Sequence, residues 1–162
     1  MSDNHHLSHA TRRRFLVDSA GLIAGIGLVS VAAIEPARAT PAMMDVAIKK
    51  VVGGAALRKG KVKLDLAPLI ENGNTVPLAV SVESPMSAED YVKAIHVFNE
   101  KNPQPNVISV HIGPRAGKAS ISTRIRLADT QRVIAIAEMS DGTFWSDEAE
   151  VVVTLAACLE GI

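Results

Sequence analysis

The chain has 162 residues, of which 48% are hydrophobic, 3% are aromatic and one is cysteine. Its 17 Lys and Arg residues balance its 17 Asp and Glu residues, so it has no basic excess to hold nucleic acid or an anionic membrane surface. A single cysteine also excludes an internal disulfide. The composition therefore favours a domain with an aliphatic core.

Residues 1–39 have the features of an export signal. The pair Arg12-Arg13 stands just before an apolar run over 21–34, as in a twin-arginine signal. That run is too short to span a bilayer, and Ala-Arg-Ala at 37–39 has the small-x-small pattern of a cleavage site. We expect cleavage before Thr40 and twin-arginine export of the mature protein to the periplasm. An uncleaved N-terminal membrane anchor is the alternative.

The first predicted element after this signal is a helix over 43–52. Its apolar side chains repeat with the spacing of one helix face, at Met44, Ala47, Ile48 and Val51. Lys49 and Lys50 suit the negative end of the helix dipole, and Gly53 can close the helix with a positive φ. This helix should pack its apolar face against the rest of the domain.

The following residues predict short strands separated by turns. Asp141-Gly142 predicts a tight hairpin, and residues 71–74 predict a turn that accepts positive φ. The length and spacing of the strands are typical of an antiparallel sandwich with a leading helix. The predicted strands are 61–66, 76–83, 92–99, 106–112, 119–127, 132–139 and 149–156.

Four basic residues, Arg115, Lys118, Arg124 and Arg126, are candidates for an anion-binding patch. Apolar and polar residues alternate along 119–127, and this alternation alone places both Arg124 and Arg126 on the solvent side. A solvated sheet face is therefore the simpler interpretation.

Two histidines, His96 and His111, lie in predicted strands without a cysteine or carboxylate at metal-ligand spacing beside them. We interpret them as structural or surface residues. No set of residues predicts a catalytic site, a metal site or a cofactor.

Cys158 follows the predicted last strand, with four residues after it in this sequence, so we expect it near a mobile end. An unpaired thiol in an exported protein is either oxidised or used. Its position alone leaves two interpretations open. The thiol is either reactive, or buried and inert as a small hydrophobic group.

Several segments, in this order and behind a twin-arginine leader, resemble one family across most of the chain. They are Ala47-Ile48-Lys49-Lys50 with Gly53-Gly54, Glu71-Asn72-Gly73-Asn74-Thr75-Val76-Pro77, Ser84-Pro85-Met86, Lys101-Asn102-Pro103, Thr123-Arg124-Ile125-Arg126-Leu127-Ala128, Met139-Ser140-Asp141-Gly142, and Val153-Thr154 leading to Cys158. The family is SoxY, the sulfur-carrier subunit of the Sox thiosulfate-oxidation system.

The resemblance implies an all-β, immunoglobulin-like β-sandwich over 40–155, with a short N-terminal helix and a tail over 156–162. It implies a periplasmic heterodimer with a SoxZ-like subunit. Cys158 would covalently hold thiosulfate-derived sulfur while separate Sox enzymes load, oxidise and hydrolyse the adduct. The chain itself would be a carrier without a cofactor and would catalyse nothing.

The tail differs from the Gly-Gly-Cys-Gly-Gly ending typical of SoxY, because Ala156, Ala157, Leu159 and Glu160 flank Cys158. Glycine allows more backbone freedom than these residues, and Glu160 disfavours the reactive thiolate by charge repulsion. The alternative is therefore a non-carrying binding or scaffold subunit with the same fold and partner surface. A carrier predicts a tail that is mobile from residue 156, whereas a scaffold predicts a tail packed on the domain.

Overall fold

The structure is a computed structural model and describes residues 40–157. The predicted export signal over 1–39 lies outside the described residues, and so do Cys158, Leu159 and Glu160. Within 40–157, no helix is long and apolar enough to cross a membrane.

The predicted helix is confirmed as α1, Pro41–Val52. Thr40 caps its start, because the Thr40 hydroxyl accepts a hydrogen bond from the Met43 N–H at 3.3 Å. Gly53, with a φ of 62°, ends the helix and donates its N–H to the Lys49 carbonyl at 2.8 Å. The buried face carries Met44, Ile48 and Val52.

Within residues 40–157, nine strands form two sheets, which confirms the all-β sandwich. The six-stranded sheet has the order β1-β9-β8-β5-β6, with β3 also paired to β9, and the three-stranded sheet has the order β2-β4-β7. A short 3₁₀ helix, Pro114–Ala116, lies between β6 and β7. The strands are β1 Leu57–Lys59, β2 Val62–Asp65, β3 Leu69–Ile70, β4 Val76–Val82, β5 Val92–Asn99, β6 Asn106–His111, β7 Ser120–Ile125, β8 Gln131–Met139 and β9 Phe144–Val153.

Two short strands correct the expectation of a purely antiparallel sandwich. β1 and β3 contain three and two residues, and both pair in parallel with β9. Strands this short carry no sequence pattern of their own, so the sequence did not predict them. All other strand pairs are antiparallel, including β8 and β9, which the predicted turn at Asp141-Gly142 connects.

β9 also differs from its prediction, because it begins at Phe144 rather than 149 and ends at Val153 rather than 156. Asp147 and Glu148 interrupt its apolar pattern, but distant residues satisfy both carboxylates. Asp147 accepts the Leu64 N–H at 2.8 Å, and Glu148 pairs with Lys59 at 2.6 Å. Tertiary partners therefore allow the strand to continue through charged residues.

The core has two layers on opposite faces of the six-stranded sheet. Aliphatic side chains fill the space between the sheets, with Leu78, Ile95 and Val133 among the most buried. On the other face, α1 packs Met44 and Ile48 against a smaller cluster. The sheet residues of that cluster are Phe98, Ile134, Ile136 and Phe144.

Candidate functional site at the base of the C-terminal tail

The residues before Cys158 leave the sandwich at the end where β5 and β9 finish and β8 begins. Val153 donates its N–H to the Thr130 hydroxyl at 3.0 Å. Thr154 donates its N–H to the Ile70 carbonyl at 2.9 Å and its hydroxyl to the Glu71 carbonyl at 3.1 Å. Thr154, the first residue after β9, is therefore bonded to the end of β3 and to the residue that follows it.

Beyond Thr154, two main-chain hydrogen bonds join the tail to two other segments, and a third joins those two segments to each other. Gly73 donates its N–H to the Leu155 carbonyl at 2.8 Å, and Leu127 donates its N–H to the Gly73 carbonyl at 2.8 Å. Ala157 donates its N–H to the Leu127 carbonyl at 3.0 Å. We call these four residues, Gly73, Leu127, Leu155 and Ala157, the tail clasp.

The clasp holds the tail residues in different environments. Ala157 is only 7% exposed, whereas Ala156 is exposed and Leu155 is 60% exposed. Of the predicted flanking residues, Ala156 thus faces solvent and Ala157 packs on the domain. This packing of Ala157 does not fit the expectation that a carrier tail is mobile from residue 156. The boundary between domain and tail at 155 and 156 stays a prediction.

Gly73 is buried at the centre of the clasp, and its role differs from the one predicted. The sequence predicted a turn with positive φ over 71–74, but Gly73 is not among the residues with positive φ. Close packing explains the glycine instead. A Cβ there would overlap the Leu127 carbonyl oxygen and lie 2.9 Å from the Ala157 nitrogen.

A network of amide side chains supports the clasp from the other side. Asn102 donates to the Arg126 carbonyl at 2.8 Å and accepts from the Ala128 N–H at 3.0 Å, so it fixes the chain on both sides of Leu127. Gln131 donates to the Asn102 side-chain oxygen at 3.2 Å. The position of the Leu127 carbonyl is therefore set by Asn102, in the loop after β5, and by Gln131, at the start of β8.

The two histidines lie away from the tail, on the face of the six-stranded sheet that carries α1. His96 is 6% exposed, and its Nδ1 is 2.8 Å from the Ser109 hydroxyl. Its ring centroid is 6.1 Å from that of the exposed His111. Burial lowers the pKa of His96, and the nearby charge of His111 lowers it further. These features fit the predicted structural role.

Among residues 40–157, no group of three or more His, Cys, Asp or Glu side chains is placed to hold a metal ion. The four basic candidates, Arg115, Lys118, Arg124 and Arg126, are all exposed, as the predicted solvated face requires. Of the sequence candidates, His96 and His111 lie close together, and among residues 40–157 they are not part of a metal-binding group.

The sequence did not identify the clasp residues, because all four of them bond through main-chain atoms. The segment Glu71-Asn72-Gly73-Asn74 was a visible signal, but it also reads as an ordinary turn. Only the folded chain shows that Gly73 meets Leu127 and Ala157.

Comparison with known proteins matches residues 48–158 to a family model described as "Sulfur oxidation protein SoxY". No curated protein matches the sequence. Among solved structures, the sulfur carrier protein SoxY from Chlorobium limicola f thiosulfatophilum is 26% identical with a TM-score of 0.59. That match covers 70% of this chain and 98% of the Chlorobium chain.

Superoxide reductases share the fold at lower identity. The enzyme from Ignicoccus hospitalis (neelaredoxin) is 16% identical with a TM-score of 0.52, over 58% of this chain and 80% of its own. At this identity the likeness extends to the fold alone. The family match covers most of the chain and includes the sequence from α1 to Cys158. The chain therefore belongs to the SoxY family of sulfur oxidation proteins.

Proposed function

We propose that this chain is a sulfur carrier in sulfur oxidation and that Cys158 is its covalent attachment site. The observation that carries the proposal is the extent of the family match, which spans the domain and has Cys158 as its last residue. Cys158 is also the only cysteine in the sequence. The Chlorobium SoxY that this chain resembles is itself a sulfur carrier.

The chemistry of attachment assigns the catalytic work to other proteins. Joining a cysteine thiol to the outer sulfur of thiosulfate forms an S–S bond and releases one proton and two electrons. A partner enzyme with an electron acceptor must take those electrons, while Cys158 supplies the thiolate. The chain is thus a carrier that presents sulfur to enzymes, and the role requires no cofactor of its own.

Intact-mass measurement tests the attachment. Mature protein from cells grown on thiosulfate should carry sulfur-containing adducts that a reductant removes. Cys158→Ser should carry none, and its thermal unfolding should match that of the unmodified wild type. An unmodified Cys158 in thiosulfate-grown cells would contradict the carrier function.

We propose a periplasmic location, reached through the twin-arginine signal over 1–39. Replacing both Arg12 and Arg13 with Lys should leave the precursor in the cytoplasm, because the pathway reads the arginine pair. The exported wild-type protein should begin at Thr40 by N-terminal sequencing. Efficient export of the double variant, or an intact leader on the periplasmic protein, would contradict this.

We also propose a heterodimer with a SoxZ-like subunit. Among the described strands, β6 and β7 each have a neighbour on one side only. Val107, Ile108 and Ile112 near the β6 edge, and Ile121 on β7, are only partly buried. Open edges and half-covered aliphatic side chains are features that a partner can cover.

Co-expression with a SoxZ-like subunit and size exclusion test this association. We expect one co-eluting species with an interface on the order of 1,600 Å² in total. Cys158→Ser is the matched control and should still bind, because it exchanges one sulfur for oxygen and changes none of the β6 and β7 edge residues. Separate elution at micromolar concentration would contradict the heterodimer.

The packing of Ala157 favours a second candidate function, a scaffold subunit that has lost the carrying role. In that case Leu159 and Ile162 should also pack on the domain, and Cys158 should react slowly with a thiol reagent. The double variant Leu159→Gly, Glu160→Gly distinguishes the two functions without changing the clasp. A carrier should load sulfur faster with these glycines, since they remove bulk and the Glu160 charge. A scaffold should remain unloaded in both forms.

A further inference from the structure

We propose that Gly73 is a positioning residue for the sulfur-carrying tail. Because Gly73 has no side chain, its main chain can pass between Leu127 and the segment 155–157 and close the tail clasp. The clasp then fixes the tail at Ala157, one residue before Cys158. This inference rests on the proposed carrier function for its biological meaning, but the clasp itself stands on the contacts of the described residues.

The loop around Gly73 is shaped to enter this narrow space. The Asn72 side-chain oxygen accepts the main-chain N–H of Asn74 at 3.0 Å and its side-chain amide at 3.1 Å. This local turn directs both the N–H and the carbonyl of Gly73 into the domain, where they bond to Leu155 and Leu127. Gly73 thereby links the tail to the segment after β7.

A side chain at position 73 would disturb the tail more easily than the rest of the site. Leu127 is fully buried and Asn102 fixes both of its neighbours, so its carbonyl cannot yield at small cost. Thr154 is bonded to Ile70 and Glu71. The segment 155–157 is held by two main-chain hydrogen bonds, one at Leu155 and one at Ala157. Its residues Leu155 and Ala156 are exposed.

The clasp determines how far the thiol can move from the domain. With Ala157 fixed, the Cα of Cys158 lies about 3.8 Å from the Cα of Ala157, the spacing of adjacent residues. If the clasp opens, the free chain begins after Thr154, and three more residues add about 10 Å of reach at roughly 3.3–3.6 Å each. A closed clasp therefore keeps Cys158 within one residue of the domain, and an open clasp lets it reach farther towards a partner enzyme.

The first test uses purified wild-type mature protein, Gly73→Ala and the control Gly113→Ala. Gly113 has an extended φ of −150°, and a Cβ there has no atom within 4 Å. In Gly73→Ala, amide exchange at Ala157 should be faster by about tenfold, which corresponds to about 1.4 kcal/mol, the scale of one hydrogen bond. Amides of β5 and β8 should exchange as in the wild type, and so should all amides of Gly113→Ala.

The second readout is the reaction of Cys158 with a small and a bulky maleimide. A thiol held close to the domain reacts more slowly with the bulky maleimide than with the small one. The ratio of the two reaction rates therefore reports the distance of the thiol from the domain. Opening the clasp should bring this ratio towards one in Gly73→Ala and leave it unchanged in Gly113→Ala. Unchanged exchange at Ala157 together with an unchanged ratio would overturn the proposal.

A second variant decides the matter if Gly73→Ala does not fold. Ala157→Pro removes the N–H that bonds to the Leu127 carbonyl and leaves Gly73 intact, whereas Ala157→Gly keeps that N–H. Ala157→Pro should bring the maleimide ratio towards one, and Ala157→Gly should not. Equal ratios in wild type and Ala157→Pro would overturn the proposal. All these readouts use unmodified protein, so a failure to load sulfur would contradict the carrier function and leave the clasp unaffected.

Discussion

The two sheets of the sandwich differ in what covers their outer faces. The six-stranded sheet packs one face on the interior and the other on α1, and its strand β8 is almost wholly buried. In the part of the chain that the structure describes, the three-stranded sheet is covered on one face only, so buried and exposed residues alternate regularly along β2 and partly along β4. The outer layer under α1 should therefore contribute to stability, whereas the outer face of the small sheet should tolerate change.

The largest expected effect is in the layer under α1. Phe98 is fully buried there, so Phe98→Ala should lower the free energy of unfolding by about 3–5 kcal/mol. Ser122→Ala, on the exposed face of β7, is the control and should change it by less than about 0.5 kcal/mol. Urea unfolding of the mature protein measures both, and a similar cost for the two variants would contradict the comparison.

The next effect concerns how the two sheets are joined at the tail end. Asn102 follows β5 of the large sheet and bonds to main-chain atoms of Arg126 and Ala128, which follow β7 of the small sheet. Asn102→Ala leaves these groups without their partner and should cost about 1–3 kcal/mol. The control is Asn106→Ala, because the Asn106 side chain bonds to Ser109 in the same strand. This variant should cost less than about 0.5 kcal/mol in the same urea experiment. Equal costs would show that Asn102 does not join the sheets.

A smaller effect is expected at the start of α1. Thr40→Ala removes the hydroxyl that accepts the Met43 N–H and should destabilise the protein by about 1 kcal/mol. Thr40→Ser keeps the hydroxyl and should stay near the wild type. Thermal unfolding measures the difference, and identical midpoints for the three proteins would mean that this cap contributes nothing to the covering layer.

The smallest expected effect is a pH dependence of the free energy of unfolding, which arises from His96 in the six-stranded sheet. Because burial lowers the pKa of His96, the folded protein disfavours the protonated ring, while the unfolded chain protonates near pH 6.5. The contribution of the neutral His96 ring to the free energy of unfolding is therefore fully present above about pH 6.5 and decreases as pH falls below that value. Urea unfolding at pH values from about 7.5 to about 5.5 should show this decrease.

Two variants separate His96 from other titrating groups. His96→Gln should flatten the decrease, and His111→Gln should retain most of it because burial, rather than the charge of His111, is the main cause of the lowered His96 pKa. Hydrogen bonds from Thr143 lower the pKa of Asp141, and a hydrogen bond from Lys59 lowers that of Glu148, so both carboxyls titrate below this range. An unchanged slope in His96→Gln would exclude His96 as the source.

The sequence by itself determined the elements whose signal is local. α1 has a helical apolar face with Pro and Gly near its ends, and β5 spans 92–99 as predicted. Exposed residues alternate with less exposed ones along β7 because one face of its sheet faces solvent. Arg124 in β7 and Arg126 just after it are exposed, as predicted. The ordered motifs up to Cys158 also sufficed to identify the family. For the helix and the strands, the physical cause is a local pattern of apolar and polar residues, whereas the family match depends on the order of motifs along the chain.

Only the tertiary structure decided the features that depend on distant partners. β9 continues through Asp147 and Glu148 because Leu64 and Lys59 satisfy their carboxylates, and β1 and β3 exist as strands only because β9 pairs with them. Gly73 lies in the predicted turn but without a positive φ, and folding placed it against Leu127. A main-chain hydrogen bond to Leu127 also holds Ala157, which precedes the only cysteine in the sequence. No side-chain pattern encodes this bond.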